Sequence, residues 1–198
     1  MNDSAPNCTA FVGKKCIASG DLRHVVRKSK EMIDSDEHAQ ILIFDNTTSD
    51  IIEVDFRGAV NDVLRRISGS AGGLAQSVEP ESRGPGRPKL GVIAREVTLL
   101  PRHWEWLASQ SGGASVTLRR LVELARKENQ GKDRLRQARE AAYRFLSAMA
   151  GDFPGFEEAA RALFAGDGDR FMKIVKPWPR DVREHAVKLA ARGFEVRR

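Results

Sequence analysis

A short basic segment in the middle of the chain combines residue types suited to gripping a polyphosphate. Arg83-Gly84-Pro85-Gly86-Arg87-Pro88-Lys89 intersperses cations with glycine and proline. Proline and glycine keep such a segment extended and thin, so it can lie in a narrow DNA minor groove, whose negative potential attracts arginine. A rigid Pro/Gly linker is the alternative interpretation.

A second set of residues with binding chemistry follows directly. Val92–Leu100 has strand composition and includes Arg95 and Thr98. Pro101 suits the first position of a helix, and Ser111–Ala114 would end that helix. Ser115 is an N-cap residue type, so we predict that it begins a second helix. The order is therefore strand, helix, helix.

Both segments resemble known DNA-binding motifs. The first is similar to the AT-hook, although Pro85 stands where that motif usually has a basic residue. The resemblance implies that Arg87 is inserted in the minor groove, with Arg83 and Lys89 near the phosphates. The second, Arg95–Lys127, resembles the ribbon-helix-helix family of bacterial DNA-binding proteins. That resemblance implies two chains whose strands pair into an antiparallel ribbon, which enters the major groove. It also implies a phosphate bound at the N-terminus of the second helix.

The ribbon-helix-helix resemblance assigns roles to individual residues. Arg95 and Thr98 would face the major groove. Gly113 and Ser115 would hold a phosphate, and Arg119 and Arg120 would support it. The strand departs from the family pattern, since it also contains Glu96 and the apolar residues Val97, Leu99 and Leu100. An ordinary strand-helix-helix within one compact domain is the alternative.

The apolar residues of this segment predict where its core lies. Trp104 and Leu107 would take core positions on the first helix, and Leu118, Leu121 and Val122 would do so on the second. Trp106 lies off the apolar face of its helix, which favours an interface with a partner subunit.

The distribution of charge supports a polyanionic partner. The chain has 198 residues and a net charge of +6. Residues 83–144 contain fourteen Lys/Arg against six Asp/Glu, whereas residues 1–67 contain nine against eleven. The basic excess therefore lies in one central block, which is typical of nucleic-acid binding. An arginine-rich, solvated helix face would give the same composition.

Signatures of catalysis and of metal binding are not found in the sequence. It has no Walker A loop and no Gly-x-Ser-x-Gly motif, and its four histidines are scattered. Two cysteines cannot build a disulfide framework, which favours a cytoplasmic protein. Apolar runs such as Ile41–Phe44 are too short to span a bilayer. We expect no enzyme activity, no cofactor, no metal and no membrane association.

Turn residues and periodicity predict an α+β fold. Residues 9–67 would form a small ββαββα unit, with a hairpin turn at Gly13-Lys14 and a strand pair formed by Ile41–Phe44 and Ile51–Phe56. Residues 68–82 read as a flexible linker. The arm and the ribbon-helix-helix-like segment would occupy residues 83–130, and a helical unit residues 131–195.

Stretches along nearly the whole chain resemble a bacterial family, domain of unknown function 2239. They include Thr9–Gly13, Leu42–Asp45, Gly84–Val92, Arg95–Leu107 and Ala141–Gly151. The resemblance implies a bacterial cytoplasmic origin and supplies no activity.

Two hypotheses follow. In the first, the protein is a homodimeric transcriptional regulator that binds double-stranded DNA, and the basic arm favours A·T-rich sites. In the alternative, it is a non-catalytic adaptor whose basic helix, Lys132–Arg144, docks an acidic partner.

Overall fold

The computed structural model describes residues 7–36, 38–70, 93 and 95–194. These residues contain one three-stranded antiparallel sheet and seven α-helices, which confirms the predicted α+β class. They fall into two compact units. Unit 1 comprises the described residues before 75 and after 131, and unit 2 those from 75 to 131. None of the helices in the described part of the chain has the length and apolar character needed to cross a membrane.

The strands are β1 (Asn7–Val12), β2 (Lys15–Asp21) and β3 (Ile41–Asp45), in the order β2-β1-β3. The helices are α1 (Leu22–Ser35), α2 (Val60–Ser70), α3 (Pro101–Ala108), α4 (Gly113–Ala150), α5 (Phe156–Ala165), α6 (Gly168–Val175) and α7 (Arg180–Ala190), and a short 3₁₀ helix at Ala191–Gly193 follows α7.

The first hairpin forms as the sequence predicts, and a carboxylate caps the start of α1. Gly13 turns the chain between β1 and β2 with a φ of 53°, a conformation that favours glycine. Asp21 caps α1, since its carboxylate accepts a hydrogen bond from the backbone N–H of His24 at 3.0 Å. Short-range turn and capping chemistry therefore determines this part of the fold.

The strand predicted at Ile51–Phe56 is wrong. Only Ile51 forms a bridge, to Phe44, and the ladder does not continue. Beyond it Asp55 accepts hydrogen bonds from the backbone and the guanidinium of Arg57, which turns the chain toward α2. The side chains of Ile52, Val54 and Phe56 still pack against the core, so the alternation is that of a half-buried segment without a strand ladder.

The sheet separates two hydrophobic clusters of unit 1. On one face Ala10 and Ile43 pack with α1 and α2. On the other face Phe11 and Phe44 meet Phe145 of α4, at ring-centroid distances of 5.5 and 5.2 Å. Helices α5, α6 and α7 complete that second cluster.

The predicted division between residues 9–67 and residues 131–195 differs from this arrangement. Both segments belong to unit 1, because the aromatic face of the sheet is buried by the C-terminal helices. The predicted boundary between residues 130 and 131 also falls inside α4, which is continuous from Gly113 to Ala150. The predicted linker, residues 68–82, lies mostly outside the described residues.

Candidate nucleic-acid interface

The segment predicted as a ribbon strand forms no strand in the single chain. Residues 95–100 have no regular secondary structure, and all but Leu99 are exposed. Leu100 has extended dihedral angles (φ −66°, ψ 151°) and precedes α3, whose first residue is Pro101 as predicted. A strand needs a neighbour to satisfy its backbone groups, and the strand pairings of the described chain involve only β1, β2 and β3.

Two glycines determine where α4 begins. Gly112 and Gly113 have φ values of 90° and 70°, in the region that favours glycine. The N–H of Gly113 donates to the carbonyl of Gln110 at 3.0 Å and closes the turn. The helix therefore begins two residues before Ser115, and the prediction that Ser115 is the N-cap is wrong. Ser115 lies in the first turn of α4 and is exposed.

The predicted DNA-binding residues of unit 2 are accessible. Arg95, Thr98, Arg119 and Arg120 are exposed, and Gly113 is half-buried. Within the described residues one hydrogen bond joins two members of this set: Arg119 Nε donates to the Ser115 carbonyl at 3.2 Å. Arg120 has no hydrogen-bond or ion-pair partner among the described residues. The other three predicted contacts, Arg83, Arg87 and Lys89, lie outside the described residues.

Most of the predicted core of unit 2 is exposed in the single chain. Leu107 is buried and Leu118 half-buried, as predicted. However, Trp104 is 41% exposed, and Leu121 and Val122 are 40% and 63% exposed. Helix α3 and the first part of α4 leave one side of their apolar residues uncovered. Trp106, predicted at a partner interface, is 49% exposed.

Sequence reasoning did not identify an apolar groove in unit 2. The groove has a volume of about 240 Å³, and its lining residues come from the segment before α3 and from both helices: Leu99, His103, Trp106, Leu107, Leu118 and Leu121. Large apolar side chains that remain exposed together are typical of an interaction surface. The signal in the sequence was the placement of Trp106 off the helix face that carries Trp104.

The basic block is divided between the two units. Residues 132–144 belong to unit 1 and contain five of its fourteen cations. Three of these are used within the chain. Arg136 pairs with Asp133 and Glu140, Arg139 donates to two carbonyls, and Arg144 contacts Asp50. Part of the positive charge that we interpreted as favouring a polyanionic partner therefore has a structural role within the chain.

Comparison with known proteins identifies a family. No curated protein and no solved structure matches the chain. Residues 7–190 match the family described as an uncharacterized protein conserved in bacteria, DUF2239. The match spans both units and agrees with the resemblance found in the sequence. The chain belongs to the DUF2239 family of bacterial proteins.

Proposed function

We propose that the protein is a homodimeric DNA-binding protein, acting as a transcriptional regulator, in which two copies of unit 2 associate and hold the duplex. The observation that carries the proposal is the exposure of the apolar residues of unit 2. Trp104, Trp106, Leu121 and Val122 are each 40% to 63% exposed. A second copy would bury this surface and remove it from water.

The segment before α3 favours a second copy as the partner. Residues 95–100 precede α3 without pairing to any strand of the described chain, and Val97 and Leu100 are about half exposed. Antiparallel pairing with the same segment of another chain would satisfy the backbone groups of both. Such an interface uses one surface on both subunits, which is the common arrangement in homodimers.

Strand geometry then assigns faces to the ribbon residues. Alternate side chains of a strand point to opposite faces. Leu99 lines the apolar groove, so Val97 and Leu99 face inward and Thr98 faces the DNA. Glu96 shares the face of Thr98, where a carboxylate can accept a hydrogen bond from the amino group of cytosine. By the same alternation Arg95 shares the face of Val97 and Leu99, so in this arrangement it does not face the major groove, contrary to the expectation from the sequence. It lies at the end of the ribbon, from which its long side chain would reach a phosphate.

The start of α4 supplies a second contact to the backbone of the duplex. The first amides of a helix have no intrahelical acceptor, and the helix dipole favours an anion there. The exposed hydroxyl of Ser115 lies in this turn. Arg119 and Arg120 follow within about one and a half helical turns and add positive charge.

Binding of a short fluorescent duplex, followed by anisotropy at several salt concentrations, tests the proposal. We expect the logarithm of the association constant to fall with the logarithm of salt concentration, by about 0.9 for each phosphate contacted. Arg120→Ala should make this slope shallower by about 0.9, the contribution of one phosphate contact. Arg65→Ala is the matched control, since Arg65 is an exposed arginine on α2 of unit 1.

Two results would contradict the proposal. One is the absence of salt-dependent binding at low ionic strength. The other is an equal loss for Arg120→Ala and Arg65→Ala, which would indicate attraction by net charge alone. The adaptor alternative has less support, because Arg136, Arg139 and Arg144 of its basic helix are engaged within the chain.

A further inference from the structure

We propose that unit 1 binds a small amphipathic organic anion, that is, a carboxylate or similar oxyanion attached to an apolar body. The site is the groove formed by α4, by the end of α7 with the following 3₁₀ helix, and by the turn after β3. Its lining residues include Thr47, Arg134, Gln137, Leu189 and Arg192. This proposal is independent of DNA binding by unit 2.

The shape and the lining of the groove suit a ligand with an apolar body. Its volume is about 300 Å³, which is within the range of small-molecule sites. Ala138, Ala141 and Leu189 provide its apolar wall, and Ala141 and Leu189 are only 3% and 2% exposed. An apolar group placed there would be shielded from water on the protein side.

Two guanidinium groups line the same groove and provide the charge. Arg192 Nη1 donates to the carbonyl of Asn46 at 2.7 Å, which holds this side chain against the turn after β3 and leaves other N–H groups to donate. Arg134 has no hydrogen-bond or ion-pair partner among the described residues. A planar guanidinium can bind a carboxylate through two parallel hydrogen bonds. The Thr47 hydroxyl and the Gln137 amide are further donors.

Acidic groups do not cancel this charge in the described part of the chain. The groove lining includes no aspartate or glutamate there. Two acids belong to the neighbouring turn, and both are engaged. Asp45 accepts the backbone N–H groups of Thr47 and Thr48 at 2.7 and 2.9 Å, and Asp50 pairs with Arg144 at 2.8 Å.

Other grooves of unit 1 select a ligand less clearly. The groove beside His185 is lined by Asp181, Glu184 and Lys188, so its charges are mixed. The groove between α4 and Phe164 contains Arg136 and Arg139, which already bind acids or carbonyls of the chain. The groove with Arg134 and Arg192 combines an apolar wall with guanidinium groups that can bind an external anion.

Titration of the isotope-labelled full chain with three probes, followed by backbone amide NMR, tests the proposal. The probes are hexanoate, which has both properties of the ligand, 1-hexanol, which has no charge, and inorganic phosphate, which has no apolar body. We expect saturable hexanoate shifts at Gln137, Ala138, Ala141 and Leu189. Hexanol and phosphate should bind at least several-fold more weakly.

Variants separate this site from general attraction of anions. Arg134→Gln should weaken hexanoate binding about tenfold, because a charge-assisted hydrogen bond is lost. Arg161→Gln is the matched control, since Arg161 pairs with Glu158 on α5 and does not line the groove. It should leave hexanoate binding unchanged.

Any of four results would overturn the proposal. They are the absence of saturable hexanoate binding, equal affinity for hexanol, equal affinity for phosphate, and the same loss in Arg134→Gln and Arg161→Gln. Unchanged amide spectra of both variants without ligand would show that each remains folded.

Discussion

At the scale of single residues, Arg139 occupies space that Gly166 and Gly193 leave open. Its Nε donates to the Gly193 carbonyl at 2.8 Å, and its Nη1 donates to the Phe164 carbonyl at 3.2 Å. A Cβ added at Gly193 would lie 2.8 Å from Arg139 Cγ and 3.3 Å from its backbone nitrogen. The second of these atoms belongs to the backbone of α4 and cannot move aside alone.

Gly193→Ala should therefore lower the free energy of unfolding by about 1–3 kcal/mol, the usual cost of overpacking. Gly131→Ala is the control of opposite sign. A Cβ there meets nothing within 4 Å, and alanine in a helix interior is favoured by about 1 kcal/mol. Urea unfolding measures both. A Gly193→Ala protein as stable as the wild type would contradict the contact with Arg139.

His185 is a buried histidine that should make the free energy of unfolding depend on pH. Its ring lies 4.6 Å from that of Phe145 and 5.5 Å from that of Phe11, between centroids. Burial, followed by the charges of Lys188 and Arg192, lowers its pKa to about 4. Its Nε2 has no hydrogen-bond partner in the described structure.

Between about pH 6.5 and about pH 4 the unfolded chain therefore binds a proton at His185 that the folded chain does not. The free energy of unfolding should fall as pH decreases through this window, by about 3 kcal/mol at most from this group. His185→Phe should flatten the decline, as measured by urea unfolding at several pH values. An identical decline in both proteins would exclude this role for His185.

At the scale of elements, features that depend on neighbouring residues were predicted correctly, whereas features that depend on long-range contacts were not. The Gly13 turn, the Asp21 cap and Pro101 at the start of α3 follow from neighbouring residues. The segment Ile51–Phe56 has the alternation of a strand, but pairing depended on how Asp55 and Arg57 turn the chain. The partners of His185 and Arg192 come from distant segments, which periodicity cannot reveal.

Helix α4 carries two kinds of arginine, and their effects should be separable. Arg144 Nη1 donates to the Thr48 carbonyl and to Asp50, both of unit 1. Arg144→Gln should lower the free energy of unfolding by about 1 kcal/mol, because these partly exposed contacts are lost, and should leave DNA binding unchanged. Arg120→Gln should weaken DNA binding and leave stability unchanged. Urea unfolding and duplex anisotropy measure the two effects.

An equal loss of DNA affinity in Arg144→Gln and Arg120→Gln would contradict this division. It would mean that the cations of residues 132–144 also contact the duplex. The sequence could not separate the two groups, since composition counts charges without showing that Arg136, Arg139 and Arg144 are already paired.

At the scale of the whole molecule, the proposed paired ribbon requires two chains. Val122 is 63% exposed, so Val122→Glu should cost the single chain little, whereas a carboxylate buried between two chains would be costly. Sedimentation equilibrium should give twice the 22.0 kDa chain mass for the wild type and the single mass for Val122→Glu. Met172→Glu, at a half-exposed position of α6 in unit 1, should stay dimeric. Equal masses for the two variants would place the interface elsewhere.

The number of chains bound to one short duplex distinguishes a paired ribbon from binding by a single chain. Sedimentation velocity of a labelled duplex at low salt, with increasing protein, measures it. We expect the first complex to contain two chains on one duplex, and we expect Val122→Glu to abolish this complex. A first complex with one chain, or the same complex formed by Val122→Glu, would contradict it.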